Sequence, residues 1–183
     1  MNFLKSAVLA GVVILPMGAA SQAADQDPYV PSETSTMSGF YLRGDVGASF
    51  LNWSGGNNDT AVVGGGGVGY KAGDFLRMDV TLDHTSDYTI APGSTINTTA
   101  LMGNVYLDWS NGSAFTPYVG AGIGYGWVSG PVNDGLALGL AAGVAVDLTN
   151  NLAVDVGYRF RDIGSSSPHV EEHQVTAGLR FKF

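Results

Sequence analysis

The last nine residues, Val175-Thr176-Ala177-Gly178-Leu179-Arg180-Phe181-Lys182-Phe183, alternate strictly and end on an aromatic carboxylate. Side chains alternate faces along an extended strand, so Val175, Ala177, Leu179, Phe181 and Phe183 share one apolar face. Thr176, Gly178, Arg180 and Lys182 share the other. Such a strand needs two environments. Either the apolar face packs into a core and the charges meet water, or the apolar face meets lipid and the charges are enclosed.

The front of the chain selects a compartment. Met1 to Ala23 carries one cation, Lys5, then an apolar stretch from Ala7 to Met17 interrupted by Pro16, then the small-residue exit Ser21-Gln22-Ala23. This is the pattern of a bacterial secretory signal, too short to serve as a spanning helix. The mature chain is expected to begin near Ala24, with a polar periplasmic leader over 24–38 and one domain over 39–183. Cysteine is absent, which removes disulfides and thiolate metal sites. Beyond the signal no apolar run approaches the roughly 20 residues of a membrane helix, although the chain is 45% hydrophobic and only 13% charged. A chain this greasy that lacks spanning helices must bury its apolar surface through strands.

Seven further segments repeat the two-faced pattern, separated by turn chemistry. The first, about 39–51, sets Phe40, Leu42, Val46, Ala48 and Phe50 against Tyr41, Arg43, Asp45 and Ser49. The second, about 60–71, places Val62, Val68 and Tyr70 on the apolar face among glycines. The third, about 75–84, sets Leu76, Met78, Val80 and Leu82 against Arg77, Asp79, Thr81 and Asp83. The fourth, about 98–109, sets Leu101, Val105, Leu107 and Trp109 against Asn104, Tyr106 and Asp108. The fifth, about 115–128, sets Val119, Ile123, Tyr125 and Trp127 against Tyr118 and a run of alternate glycines. The sixth, about 136–148, alternates Leu and Val with Gly, Ala and Asp147. The seventh, about 152–163, sets Val154, Val156, Tyr158 and Phe160 against Asp155, Arg159 and Arg161. Each is long enough for a tilted membrane strand of about 9–11 residues.

Two patterns independent of the alternation favour lipid outside. Links near 72–74, 110–114 and 149–151 are short, whereas 52–59, 85–97, 129–135 and 164–172 are mostly longer, as expected for short periplasmic turns and longer external loops. Aromatic residues fall at strand ends in two belts: Phe40, Tyr70, Trp109 and Phe183 at one end, Phe50, Tyr125, Trp127 and Phe160 at the other. Amphipathic rings prefer both membrane interfaces. The expected fold is therefore all-β, an eight-stranded antiparallel transmembrane barrel with both termini periplasmic. A soluble sandwich or lipocalin-like barrel would leave the belts and the link asymmetry without a cause.

The charges then define the interior. Of the eight Lys and Arg, Lys5 lies in the signal and Lys71 at a periplasmic turn. Arg43, Arg77, Arg159, Arg161, Arg180 and Lys182 fall on the lumen face, together with Asp45, Asp79, Asp83, Asp108, Asp147 and Asp155. Charges of both signs enclosed together must pair or be solvated. Eight strands leave an interior just wide enough for side chains to fill, so the expectation is an ion-paired, partly hydrated lumen without an open pore. Asp59, Asp87, Asp134, Asp162, Glu171 and Glu172 are assigned to the external loops and rims, with no Lys or Arg among them. The mature net charge becomes −9 from −8, which excludes nucleic acid as a partner, since phosphate binding needs basic clusters.

The stretches Phe40-Tyr41-Leu42-Arg43-Gly44-Asp45-Val46-Gly47 and Phe115-Thr116-Pro117-Tyr118-Val119-Gly120-Ala121-Gly122-Ile123-Gly124, with the final Phe183, resemble the small outer-membrane β-barrel family. That family includes the OmpA transmembrane domain and the opacity-type surface proteins of alphaproteobacteria. The resemblance covers nearly all of the mature chain and specifies fold more than function. It implies handling by periplasmic chaperones, folding by the barrel assembly machinery with Phe183 in the recognition strand, and contact with outer-membrane lipid and lipopolysaccharide. It also implies roles in envelope integrity, adhesion and host-surface contact; some relatives bind haem.

Two other classes of function have residues to test. His84-Thr85-Ser86, flanked by Asp83 and Asp87, is slightly like the His-x-Ser of lipid A deacylases, but Asp83 points to the other face and Asp87 lies in an expected loop. His84, His169 and His173 all map to the outer end, where a haem or metal would need them to converge; His84 and His173 lie on strands that are not neighbours. The expectation is a structural or surface-interaction barrel, not an enzyme, with no cofactor, no metal and an undefined external loop partner. A ligand-binding or weakly conducting barrel is the alternative, and a lipid A-modifying hydrolase the further one.

Overall fold

The computed structural model describes residues 39–52, 59–130, 133–164 and 170–183. The signal segment 1–23, the leader 24–38 and His169 lie outside the described residues. Within them the chain forms eight strands: β1 (Gly39–Asn52), β2 (Asp59–Ala72), β3 (Leu76–Ala91), β4 (Ser94–Asp108), β5 (Phe115–Ser129), β6 (Gly135–Asp147), β7 (Leu152–Ile163) and β8 (Val170–Lys182). Each pairs antiparallel with the next, and β1 also pairs with β8, closing the sheet into a barrel. Closure satisfies the backbone across the span without leaving an edge, the condition for strands to cross lipid.

Over the middle of every strand the apolar face looks outward. Leu42, Val80, Leu82, Ile123, Leu140, Val156 and Leu179 are exposed, while Arg77, Asp79, Asp83, Asp155 and Arg180 are buried in the lumen. The alternate glycines of β5 let this wall approach its neighbour and the lumen side chains. A Cβ added to Gly124 would overlap the Leu101 carbonyl oxygen, and one added to Gly120 or Gly122 would strike Tyr106 or Asn104.

Toward the end opposite Gly39 and Phe183 the code inverts. On β3 the outward series Met78, Val80, Leu82 gives way to His84, Ser86 and Asp87, and on β4 Leu101 gives way to Thr99, Asn97 and Thr95. Inward residues change the other way: Leu51, Tyr88, Ile96, Val128, Ile163 and Val170 are buried and belong to one apolar cluster. Polar outside and apolar inside is the arrangement of a strand in water, so the barrel continues beyond lipid as a collar with its own core.

This collar corrects several sequence expectations. Residues 85–97, expected as a long loop, are mostly strand: β3 and β4 run on to a tight turn at Pro92-Gly93, where Gly93 has φ +75°. A bulge sets Ser86 and Asp87 against one residue of β4, between the pairs Thr85↔Thr98 and Tyr88↔Ile96. Had β3 stayed regular through these residues Tyr88 would face out; the bulge absorbs one of them and the ring turns inward. β8 likewise begins at Val170 rather than Val175. Links between strands are therefore residues 73–75, 109–114 and 148–151 at the terminal end and 53–58, 92–93, 130–134 and 164–169 at the loop end. The length expected of the 85–97 link is thus taken up by strand.

Lys71, expected at a turn, is the penultimate residue of β2 and lies half-buried at the lumen mouth near Tyr41 and Arg180.

Gly124→Ala is expected to lower the stability of the folded barrel by about 1–3 kcal/mol through overpacking. Gly103→Ala, whose added methyl would meet nothing closer than the Ile123 carbonyl at 3.7 Å, is expected to change it by less than about 0.5 kcal/mol. Urea unfolding in lipid vesicles measures both.

Candidate functional site: the charged lumen

The lumen charges come from strands whose inward phase places a long cation beside an acid. Three tiers follow from the terminal end to the loop end. In the first, Arg77 (β3) lies against Asp108 (β4), with Nε 3.0 Å from Oδ2 and NH2 3.0 Å from Oδ1. Its guanidinium centre sits 4.2 Å from the Tyr106 ring centroid and 5.0 Å from that of Tyr118, so the charge is covered by two π faces. Arg180 holds Asp155 at 2.6 Å and lies 5.6 Å from the Tyr41 ring. Lys182 and Asp147 pair at 2.5 Å at the more exposed mouth.

The second tier is a branched chain. Arg43 reaches Asp45 and Asp79, both at 2.9 Å, and its NH1 donates to the Tyr106 hydroxyl at 3.1 Å. Tyr41 donates to Asp79 Oδ2 at 2.8 Å and Asn104 Nδ2 to Oδ1 at 2.8 Å, so this buried carboxylate has donors on both oxygens. Arg159 continues upward, 3.5 Å from Asp45 and 3.3 Å from Asp83.

In the third tier Arg161 lies 3.7 Å from Asp83 and 2.7 Å from Glu172. Asp45, Asp83 and the arginines between them thus form a continuous ladder of alternating charge from Asp79 to Glu172. Beside it lies a void of about 20 Å³ lined by Asp83, Asn104, Gly139 and Arg159, room for roughly one water. All twelve lumen charges named from the sequence stand in ion pairs: Arg43, Asp45, Arg77, Asp79, Asp83, Asp108, Asp147, Asp155, Arg159, Arg161, Arg180 and Lys182.

Glu172 is a correction. Assigned to the rim from its sequence position, it is fully buried in the lumen as the third tier's acid. β8 starts five residues earlier than its apolar alternation reveals, which puts Glu172 in phase with Gln174, Thr176 and Arg180. Counting back from Arg180 in steps of two would have found it. The covering tyrosines Tyr41, Tyr106 and Tyr118 share the inward phase of the arginines, and that coincidence was the available signal.

Outward, Phe40, Tyr70, Trp109 and Phe183 are exposed around the terminal end, with Phe75 and Phe115 beside them. Phe50, Tyr125 and Trp127 are exposed toward the loop end, and Phe160 is half-buried with its ring 5.3 Å from that of His173. His84 Nδ1 lies 2.9 Å from Thr99 Oγ1, while Ser86 Oγ accepts the Val62 amide at 3.0 Å. Among the described residues no hydrogen bond joins His84 to Ser86 or to a carboxylate. His173 Nδ1 lies 2.6 Å from the Tyr158 hydroxyl on the far pair of strands.

The sequence profile of the outer membrane protein β-barrel domain matches residues 9–183. The chain belongs to that family. Among similar proteins is an uncharacterised protein of Brucella abortus, 27% identical over 90% of this chain and 93% of its own length. Outer membrane protein PagN of Salmonella typhimurium is 27% identical over 73% of this chain and 78% of its own, and a putative adhesin of Rickettsia rickettsii 25% identical over 78% and 87%. The crystal structure of Neisserial surface protein A superposes with a TM-score of 0.72 at 26% identity, covering 80% of this chain and 98% of that one. The chain is thus a small outer-membrane β-barrel protein.

Arg43→Ala removes the partner shared by Asp45 and Asp79 while both remain enclosed. The expected cost is about 3 kcal/mol of unfolding free energy. Lys182→Ala, at the exposed mouth, is expected to cost less than about 1 kcal/mol. Urea midpoints in the same vesicles compare them.

Proposed function

We propose that this barrel acts at the cell surface as an envelope-stabilising and contact-making protein, with a closed lumen and no chemistry of its own. After export under the Met1–Ala23 signal, both termini remain periplasmic and the collar faces outward. The observation that carries this reading is that the lumen is filled twice over, by paired charges through the membrane span and by an apolar core in the collar. Solute transport has no path there. Function then falls to the outer surface, where Asp59, Asp87, Asp134, Asp162 and Glu171 stand at the loop end. An acidic rim suits divalent cations that bridge lipopolysaccharide phosphates. Similarity to a putative adhesin and to a neisserial surface protein supports the contact role.

The hydrolase reading finds little support in the arrangement of His84, since its Nδ1 faces Thr99 and Ser86 is engaged by a backbone amide. The haem or metal reading would need His84 and His173, which lie on non-adjacent strands, to converge with His169.

Bacteria displaying the protein are expected to adhere to epithelial monolayers more than cells lacking it, while the purified barrel gives no step-like current in planar bilayers. Unchanged adhesion contradicts the contact role, and a wild-type current contradicts the closed lumen. A lipid A acyl chain lost with the wild type and retained with His84→Ala would establish the hydrolase instead.

A further inference from the structure

The tip of the β3–β4 hairpin is tied to the barrel in an unusual way. β2 pairs with β3 only as far as Val63↔Thr85, and β5 pairs with β4 only from Asn97↔Ser129. Beyond those points residues 86–96 have no strand ladder on either side, and two register irregularities, at Thr85/Tyr88 and Thr89/Ala91, interrupt the hairpin's own ladder. Yet this tip supplies Tyr88 and Ile96, both fully buried, to the collar core with Leu51, Val128, Ile163 and Val170. The element that reaches over this end of the lumen is therefore held by no neighbouring strand ladder.

Besides the burial of Tyr88 and Ile96, one buried carboxylate ties it to the far wall. Glu172 Oε1 lies 3.2 Å from the hydroxyl of Tyr88 in the tip, which also meets Ser49 Oγ at 2.6 Å, and accepts Thr98 Oγ1–H at 2.6 Å from the paired stretch of β4 at the tip's base. Oε2 accepts Arg161 Nε at 2.8 Å and Gln174 Nε2 at 3.2 Å. One buried group joins β3 and β4 to β7 and β8 across the lumen. Two further ties, Thr89 N–H to Asp59 Oδ2 at 2.6 Å and Val62 N–H to Ser86 Oγ at 3.0 Å, lie on the exposed outer side.

We propose that the hairpin tip is a lid over the lumen, hinged at the Ser86-Asp87 bulge and latched by Glu172, so that releasing this latch, and not breaking the charge ladder beneath it, admits water to the barrel interior. The bulge gives the tip a place to bend without disturbing the paired part of β3. Charge-assisted bonds are the stronger class of hydrogen bond, so a neutral isostere weakens several contacts at once while keeping their shape. Opening uncovers Ala100 and Arg161 first, and the ladder from Asp83 downward stays paired. The inference rests on the closed-lumen reading above.

The chain has no cysteine, so a single Ala100→Cys reports the space under the lid without background. Intact cells are treated with a membrane-impermeant charged thiol reagent. Labelling is expected to be slow in the otherwise wild-type barrel, to rise roughly tenfold when Glu172→Gln is added, and to stay unchanged when Arg43→Gln is added. Retained heat-modifiable migration on gels certifies that each variant is folded. Should Glu172→Gln fail that check, Thr98→Val with Tyr88→Phe removes the two hairpin bonds to the same carboxylate and is expected to give the same rise. Equal labelling with and without the latch overturns the lid, as does a rise with Arg43→Gln. Fast labelling of Ala100→Cys in the wild-type background, matching an exposed Thr95→Cys control, overturns the closed lumen itself.

Discussion

Everything in this barrel depends on neutralising charge inside a tube that has lipid around it. A lone guanidinium or carboxylate enclosed by eight strands would face a desolvation cost of several kcal/mol, which only a close partner offsets. The chain meets this by putting cations and acids on the same inward phase of neighbouring strands. Arg43 and Asp45 are two residues apart on β1, while Arg77 and Asp108 lie on adjacent strands. Tyrosines fill the space between them, and glycines on β5 and β6 make room for the filling. The lumen is thus a packed polar core, the inverse of a soluble protein's interior.

That inversion holds only while lipid is outside. Where the strands emerge, the outward residues become Thr95, Asn97, Thr99 and Asp87, and the inward ones Leu51, Tyr88, Ile96 and Ile163. The switch marks the level at which the external solvent changes, and the aromatic residues Phe50, Tyr125 and Trp127 cluster near it, as interfacial rings do. A single chain therefore carries two cores with opposite polarity, one above the other.

The membrane-spanning part was legible in the sequence because a strict period of two, repeated eight times with matching phase, suits a barrel wall and few other folds. The twelve paired charges followed from phase alone, without knowledge of register. The collar was poorly legible, for two physical reasons. The bulge at Ser86-Asp87 shifts the phase within β3, so Tyr88 reads as out of step and the segment as loop. The polarity switch also turns the expected pattern upside down, so Val170 and Glu172 read as rim rather than strand. Lys71 reads as a turn residue through its nearness to Gly73, since a turn glycine two residues away hides the last inward position of β2.

Strand faces exchange polarity where lipid ends. Spin labels on single cysteines at Val80, Leu140, Asp87 and Thr95 in reconstituted vesicles test it through their collisions with oxygen, which concentrates in lipid, and with a water-soluble nickel chelate. Oxygen-dominated relaxation is expected at Val80 and Leu140 and chelate-dominated relaxation at Asp87 and Thr95. Chelate access at Val80 and Leu140, with the protein soluble in the absence of detergent, would contradict it.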